Sequence, residues 1–258
     1  MTTFVLLRGL ARESRHWGHV VERLRQQLGV GHVVLALDMP GNGQFTAQTS
    51  PATVAGMTAA CRSALAQRGI DGPVVLVAMS LGAMVALHWS QHAAQELAGC
   101  VLINTSLRRA SPFWHRLRPG NYLRLAGLFA PGSTLLERER VVLAMTSSRP
   151  ERHPGVAQRW AELAATHPVR RWNAMRQLIA ALRYTPMSWR PPVPALVLAS
   201  AGDTLVNPAC SREIARRWNL QIDVHPDAGH DLPLDDPEWF VQRVERWWKQ
   251  QHASCKCH

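Results

Sequence analysis

Val74-Val75-Leu76-Val77-Ala78-Met79-Ser80-Leu81-Gly82-Ala83-Met84 decides how this chain is read. Val74–Val77 is a short run of apolar, mostly β-branched residues, which predicts a buried strand. Leu81–His92 is apolar at helical length and predicts a helix. Between them stands one serine, with small residues two places before and after it, Ala78 and Gly82. A sharp strand-to-helix turn needs that spacing, because larger side chains would strike the neighbouring strand and helix. Such a turn lifts the serine hydroxyl out of the sheet and points the N-terminus of the next helix at it.

Working outward, the same grammar repeats. Phe4–Leu7, Val33–Leu37, Cys100–Ile103 and Ala195–Ala199 read as further buried strands, and Gln221–His225 as a weaker sixth. Helical spacing joins Trp17, Val20, Val21, Leu24 and Leu28, and recurs over Ala52–Gln67, Ser211–Trp218 and Pro237–Trp248. Asp236 is placed to cap the last of these, and Asp235 reads as a second capping residue. Apolar strands alternating with helices predict an α/β fold, with a mostly parallel sheet covered on both faces. Residues 105–192 break the pattern. They offer no strand, several amphipathic helical stretches, and breakers at Pro119-Gly120, Pro131-Gly132 and Pro150. The expected organisation is a core of 1–104 and 193–252, a helical insertion of 105–192 between the fourth and fifth strands, and a tail of 253–258.

Charge follows the same division. The insertion holds fifteen Arg, no Lys, no Asp and four Glu, whereas the rest of the chain has fourteen basic and fourteen acidic residues. The whole formal charge of +11 therefore sits in the insertion. Three readings stay open for it: a solvated helical face, an attractor for an anionic substrate or an acyl group on an acidic carrier protein, and a seat on an anionic membrane surface. No nucleic-acid motif accompanies the charge. Trp114, Tyr122, Trp160, Trp172, Tyr184 and Trp189, which interleave with it, fit a lid lining an apolar pocket. With 47% hydrophobic and 18% charged residues the composition is globular. No apolar run is long enough for a membrane span, and the first residues lack the pattern of a signal peptide, so a cytoplasmic protein is expected. Five cysteines, three of them isolated, suggest no disulfide framework; Cys255, Cys257 and His258 read as a frayed tail before they read as a metal site.

A serine is a poor nucleophile until a base takes its proton, and the base needs an acid to orient it. The fifth strand runs into Ala201-Gly202-Asp203, which delivers a carboxylate at a strand end. The sixth leads to Asp227-Ala228-Gly229-His230. The order Ser80, Asp203, His230 is the one this chemistry uses on parallel sheets.

In these motifs the chain resembles the α/β-hydrolase superfamily over nearly its whole length. Arg8-Gly9-Leu10 is similar to the His-Gly-X oxyanion loop, and Asp38-Met39-Pro40-Gly41-Asn42-Gly43 to the D-x-P-G-x-G segment. Ala78–Gly82 is similar to the nucleophile elbow, Asp203 to the acid position, and Gly229-His230 followed by Pro237-Glu238 and Phe240 to the G-H…P-E-x-F ending. Arg8 stands in place of the usual His and Ala78 in place of the first Gly. The resemblance implies a serine hydrolase acting on a small-molecule carboxylic ester, with Ser80 as nucleophile, His230 as base, Asp203 as acid, and the backbone N–H groups of Leu10 and Leu81 as oxyanion donors. It implies no metal and no organic cofactor, and places 105–192 as the lid. A thioesterase, a cofactor-free perhydrolase or haloperoxidase, and a catalytically silent binding protein are the alternatives. Met79, Arg8 and His16 are candidates for substrate contact. Their structural readings are core packing for Met79, a pair with a carboxylate such as Asp38 for Arg8, and a first-turn helix position for His16. Asp231 is expected to tune the loop around His230.

Overall fold

The computed structural model describes residues 1–128 and 132–253. Pro131 and the Cys255, Cys257 and His258 of the tail lie outside the described residues. Six strands, β1 (Thr2–Leu7), β2 (His32–Leu37), β3 (Val74–Met79), β4 (Leu97–Ile103), β5 (Ala195–Ser200) and β6 (Gln221–His225), form one sheet in the order β2-β1-β3-β4-β5-β6. Every pairing is parallel. All six strands therefore end at one edge of the sheet.

The strands are apolar throughout because both faces are covered. Alternate residues divide between two cores. Val5, Leu7, Leu76, Ala78, Leu102 and Val197 face α2 (Val54–Ala66), α3 (Leu81–His92) and α9 (Ala209–Trp218). Phe4, Leu6, Val75, Val77, Val101 and Leu198 face α1 (Val20–Leu28) and α11 (Pro237–Ala253), where Leu24, Phe240, Val244 and Trp247 are fully buried. The strand order reverses between β1 and β3, and the carboxyl ends at such a reversal are the usual place for a ligand in an open parallel sheet.

Between β4 and β5 run α4 (Phe113–Arg116), α5 (Tyr122–Gly127), α6 (Leu135–Thr146), α7 (Val156–Thr166) and α8 (Arg171–Arg183). Helices α6 and α7 share a small apolar core of Leu143, Val156, Ala157 and Trp160. The aromatic residues of this segment do not act together. Trp160 and Tyr184 are buried, but Trp114, Tyr122, Trp172 and Trp189 are exposed, so the six do not share one buried apolar lining. Among the described residues no helix is long and apolar enough to cross a membrane.

Candidate active site

The residues singled out for chemistry gather at the sheet's carboxyl edge: Arg8, Leu10 and His16 follow β1, Met79 ends β3, Ser80 and Leu81 open α3, and Asp203 and His230 follow β5 and β6. Ser80 follows β3 directly and has φ +56°, a strained conformation for a residue with a side chain. Its N–H donates to Ile103 O at 2.9 Å, and its carbonyl accepts from Thr105 Oγ1 at 2.9 Å, so both flanks of the turn are tied to β4 and the loop after it. Small residues make the turn fit. A Cβ on Gly82 would sit 2.7 Å from the carbonyl oxygens of both Leu7 and Arg8, so α3 starts hard against the end of β1. A Cβ on Gly9 would sit 3.1 Å from Ser80 Cβ, so the loop after β1 lies on the serine. The backbone N–H groups of Leu10 and Leu81 flank that contact, and neither donates a hydrogen bond among the described residues.

Asp203 and His230 meet although 27 residues separate them. His230 Nδ1 donates to Asp203 Oδ2 at 2.7 Å, with both side chains at least 96% buried. The other carboxylate oxygen accepts from Leu205 N at 2.8 Å and Val206 N at 2.9 Å. A carboxylate so fixed holds the imidazole with its proton on Nδ1, which leaves Nε2 as the basic nitrogen.

Arg8 pairs with Asp231, not with Asp38. Its Nη1 donates to Asp231 Oδ1 at 3.0 Å and its Nη2 to Oδ2, and the pair is 3% exposed on each side. This fork ties the loop after β1 to the residue following His230. Burial pushes the Asp231 carboxyl up, but the Arg8 charge and hydrogen bonds, with Arg12 beyond them, outweigh it and hold the group below its ordinary value. Asp38 instead accepts from the N–H groups of Ser14 and Gln44, at 2.6 and 3.1 Å. Met79 is buried in the same core as Val77 and Ile103, with Ile103 its partner on β4. His16 lies in a short 3-10 turn against Trp160, its Nδ1 accepting from Glu13 N. Burial first, and then Arg12 and Arg8, push its pKa well below the ordinary imidazole value. Burial also pushes the free thiols of Cys61 and Cys100 up to about 12, which disfavours a reactive thiolate at either.

Asp235 caps no helix start. Its carboxylate accepts from Ser147 Oγ, Ser148 N and Gly229 N, the last two at 2.9 and 2.7 Å, and meets His153 Nε2 at 3.1 Å. It thus joins the segment after α6 to the loop before His230. Asp236 does cap α11, accepting from Trp239 N at 2.9 Å.

Three residues with no motif to mark them hold the site together. Asn104 follows β4; its amide donates to Ser200 Oγ and to His230 O, at 2.9 and 2.8 Å, and accepts from Ser200 N. A polar residue at once after a buried strand is the sequence signal that could have found it, and in the structure it takes φ +44°. Gln177 on α8 is fully buried; it accepts from Ala11 N at 2.7 Å and donates to Asn42 Oδ1 and Ser50 Oγ. Asn173, one turn earlier, accepts from Ser50 N and donates to Gln48 O. The insertion thus bonds to the loop that carries Leu10, and at Thr146 O to Asp231 N.

Known proteins agree with this architecture. An esterase from Thermogutta terrifontis is 22% identical, covering 97% of this chain and 90% of its own, with a TM-score of 0.76. The enol-lactonase from Burkholderia xenovorans is 20% identical over 96% and 91%, with a TM-score of 0.78. A candidate non-heme bromoperoxidase from Mycobacterium tuberculosis is 22% identical over 97% and 92%, with a TM-score of 0.74. No curated protein matches the chain. The sequence profile described as the alpha/beta hydrolase family matches residues 4–243, and the chain is a member of that family of enzymes.

Proposed function

We propose that the chain is a serine hydrolase that cleaves a carboxylic ester through an acyl-enzyme. One observation carries the reading: a strained serine under the Gly9 loop shares a sheet edge with a buried histidine whose Nδ1 is bound to a buried carboxylate. Ser80 Oγ attacks the acyl carbonyl while His230 Nε2 takes its proton. The N–H groups of Leu10 and Leu81 stabilise the oxyanion, and a donor in that role is worth about 2.7–4 kcal/mol. His230 returns the proton to the leaving alcohol, and water then releases the acid by the same steps. Asp203 keeps the imidazole oriented and stabilises its charged form. The 105–192 insertion serves as the lid, which its bonds to Ala11, Asp203 and Asp231 support. Arg8 and Met79 act from behind the reacting groups, in keeping with their burial.

Thioesters are the next substrates to try, since the same groups would act on them. The bromoperoxidase-like neighbour gives specific support to one further reading, a perhydrolase that turns an acyl-enzyme over with peroxide. A series of p-nitrophenyl esters of increasing acyl length, assayed with water and with peroxide as acceptor, separates these activities. Ser80→Ala is expected to reduce every one of them by at least about 10⁴-fold while the protein stays folded. Retained turnover in a preparation free of host esterases would refute the proposal.

A further inference from the structure

Helix α8 carries its polarity inside out. Its buried positions are Asn173, Gln177 and Ala180, facing the core through the hydrogen bonds given above. Its exposed apolar positions are Trp172, Met175 and Leu182, whose spacing, with the half-buried Ile179 among them, sets them on one stripe. Trp172 is 64% exposed and Leu182 46%. Arg116 extends the stripe by donating to the carbonyls of Ala181 and Leu182, at 2.7 and 3.2 Å. That brings α4, with Phe113 and Trp114 both half exposed or more, to the C-terminal end of α8. Among the described residues twelve large hydrophobic side chains are exposed, and nine belong to the insertion, so the apolar surface and the +11 charge coincide. Arg170, Arg171 and Arg183 bracket the stripe, exposed and in no ion pair among the described residues.

We infer that this face docks on an anionic lipid surface. An apolar stripe with Trp on it and Arg beside it is the pattern of a helix lying in a headgroup layer. A second copy of the chain would set +11 against +11. An acidic soluble protein would match the charge, but it would need a shaped recess for each protruding aromatic ring. A fluid interface closes around any shape. The inward face of α8 is already held by hydrogen bonds, so docking requires no refolding of the helix.

The test is sedimentation of the full chain with vesicles of phosphatidylcholine alone or of equimolar phosphatidylcholine and phosphatidylglycerol. Binding is expected to the mixed vesicles, and it should fall with added salt. Arg170→Gln/Arg171→Gln/Arg183→Gln should weaken it about a hundredfold, at about fivefold per arginine. Trp172→Ser/Leu182→Ser should weaken it at least about tenfold, with thermal unfolding unchanged in both variants. Failure of the wild type to bind, equal binding to both vesicles, or wild-type binding by either variant would overturn the inference. Retention on immobilised polyglutamate without vesicle binding would also overturn it, in favour of an acidic protein partner.

Discussion

The carboxyl edge of the sheet and the outer face of α8 set charged and apolar groups in opposite ways. At the edge, Arg8, Asp203, His230 and Asp231 are all buried, and each has its partner within hydrogen-bond distance. On α8, Arg170, Arg171 and Arg183 stand in solvent without a carboxylate, and Trp172 stands out among them. A buried ion pair adds little net stability, because desolvation offsets most of the attraction, but breaking one is expensive. Its value here is geometric: it fixes two loops relative to Ser80. Unpaired surface charge fixes nothing in the fold and is free to meet a partner. The seam between the two regions is polar on both sides, with Gln177 and Asn173 meeting Ser50, Asn42 and Ala11 N.

The comparison breaks most sharply at Asp203. Asp203→Asn keeps the size of the side chain but presents the wrong charge to His230, and kcat is expected to fall about 10⁴-fold. A loss below tenfold, in steady-state ester hydrolysis, would mean that the buried edge is scaffolding. The ion pair beside it gives the next effect. Arg8→Met leaves Asp231 buried and alone, and should cost about 3–5 kcal/mol in urea unfolding. Adding Asp231→Leu should restore most of that stability but not kcat, since the fork that positions the loops is gone. Full recovery of both would show that the pair has no positioning role.

The seam gives smaller effects. Gln177→Leu strands the N–H of Ala11 and should cost about 1–3 kcal/mol. Its signature is a lower kcat/KM together with the lower stability, because Ala11 follows Leu10. An unchanged kcat/KM would place the insertion outside the reaction. Smallest is a pH effect. Folded His16 resists protonation, whereas the unfolded chain takes up a proton near pH 6.5. The unfolded state then binds more protons, so stability falls as pH drops below about 6.5. His16→Asn should flatten Tm across that window. Asp231 acts elsewhere: its lowered pKa adds stability above the ordinary carboxylate range, which is lost only as pH falls through the folded value.

How far these features could be read in advance depended on distance along the chain. The strands, the elbow at Ser80 and the cap at Asp236 are local patterns, and the structure has them within a few residues of the expected positions. Arg8 and Asp231 lie 223 residues apart, and nothing local distinguishes Asp231 from Asp38 as the partner. Asp235 sits where a capping residue belongs, yet its carboxylate turns toward the insertion, which no local pattern encodes. The α8 stripe is the instructive case. Periodicity finds an apolar face but does not say which side holds the core. The default is inward, and here the buried face is the polar one, because the core presents Ser50, Asn42 and Ala11 N to it.

The claim that the sheet edge is a reaction centre is tested most directly by a fluorophosphonate probe followed by peptide mapping. A serine needs its base in place to react with such a probe at a useful rate. The expected result is one stoichiometric adduct on Ser80, lost in Ser80→Ala and strongly slowed in His230→Ala. An adduct on another residue, or folded wild-type protein that does not label, would contradict it.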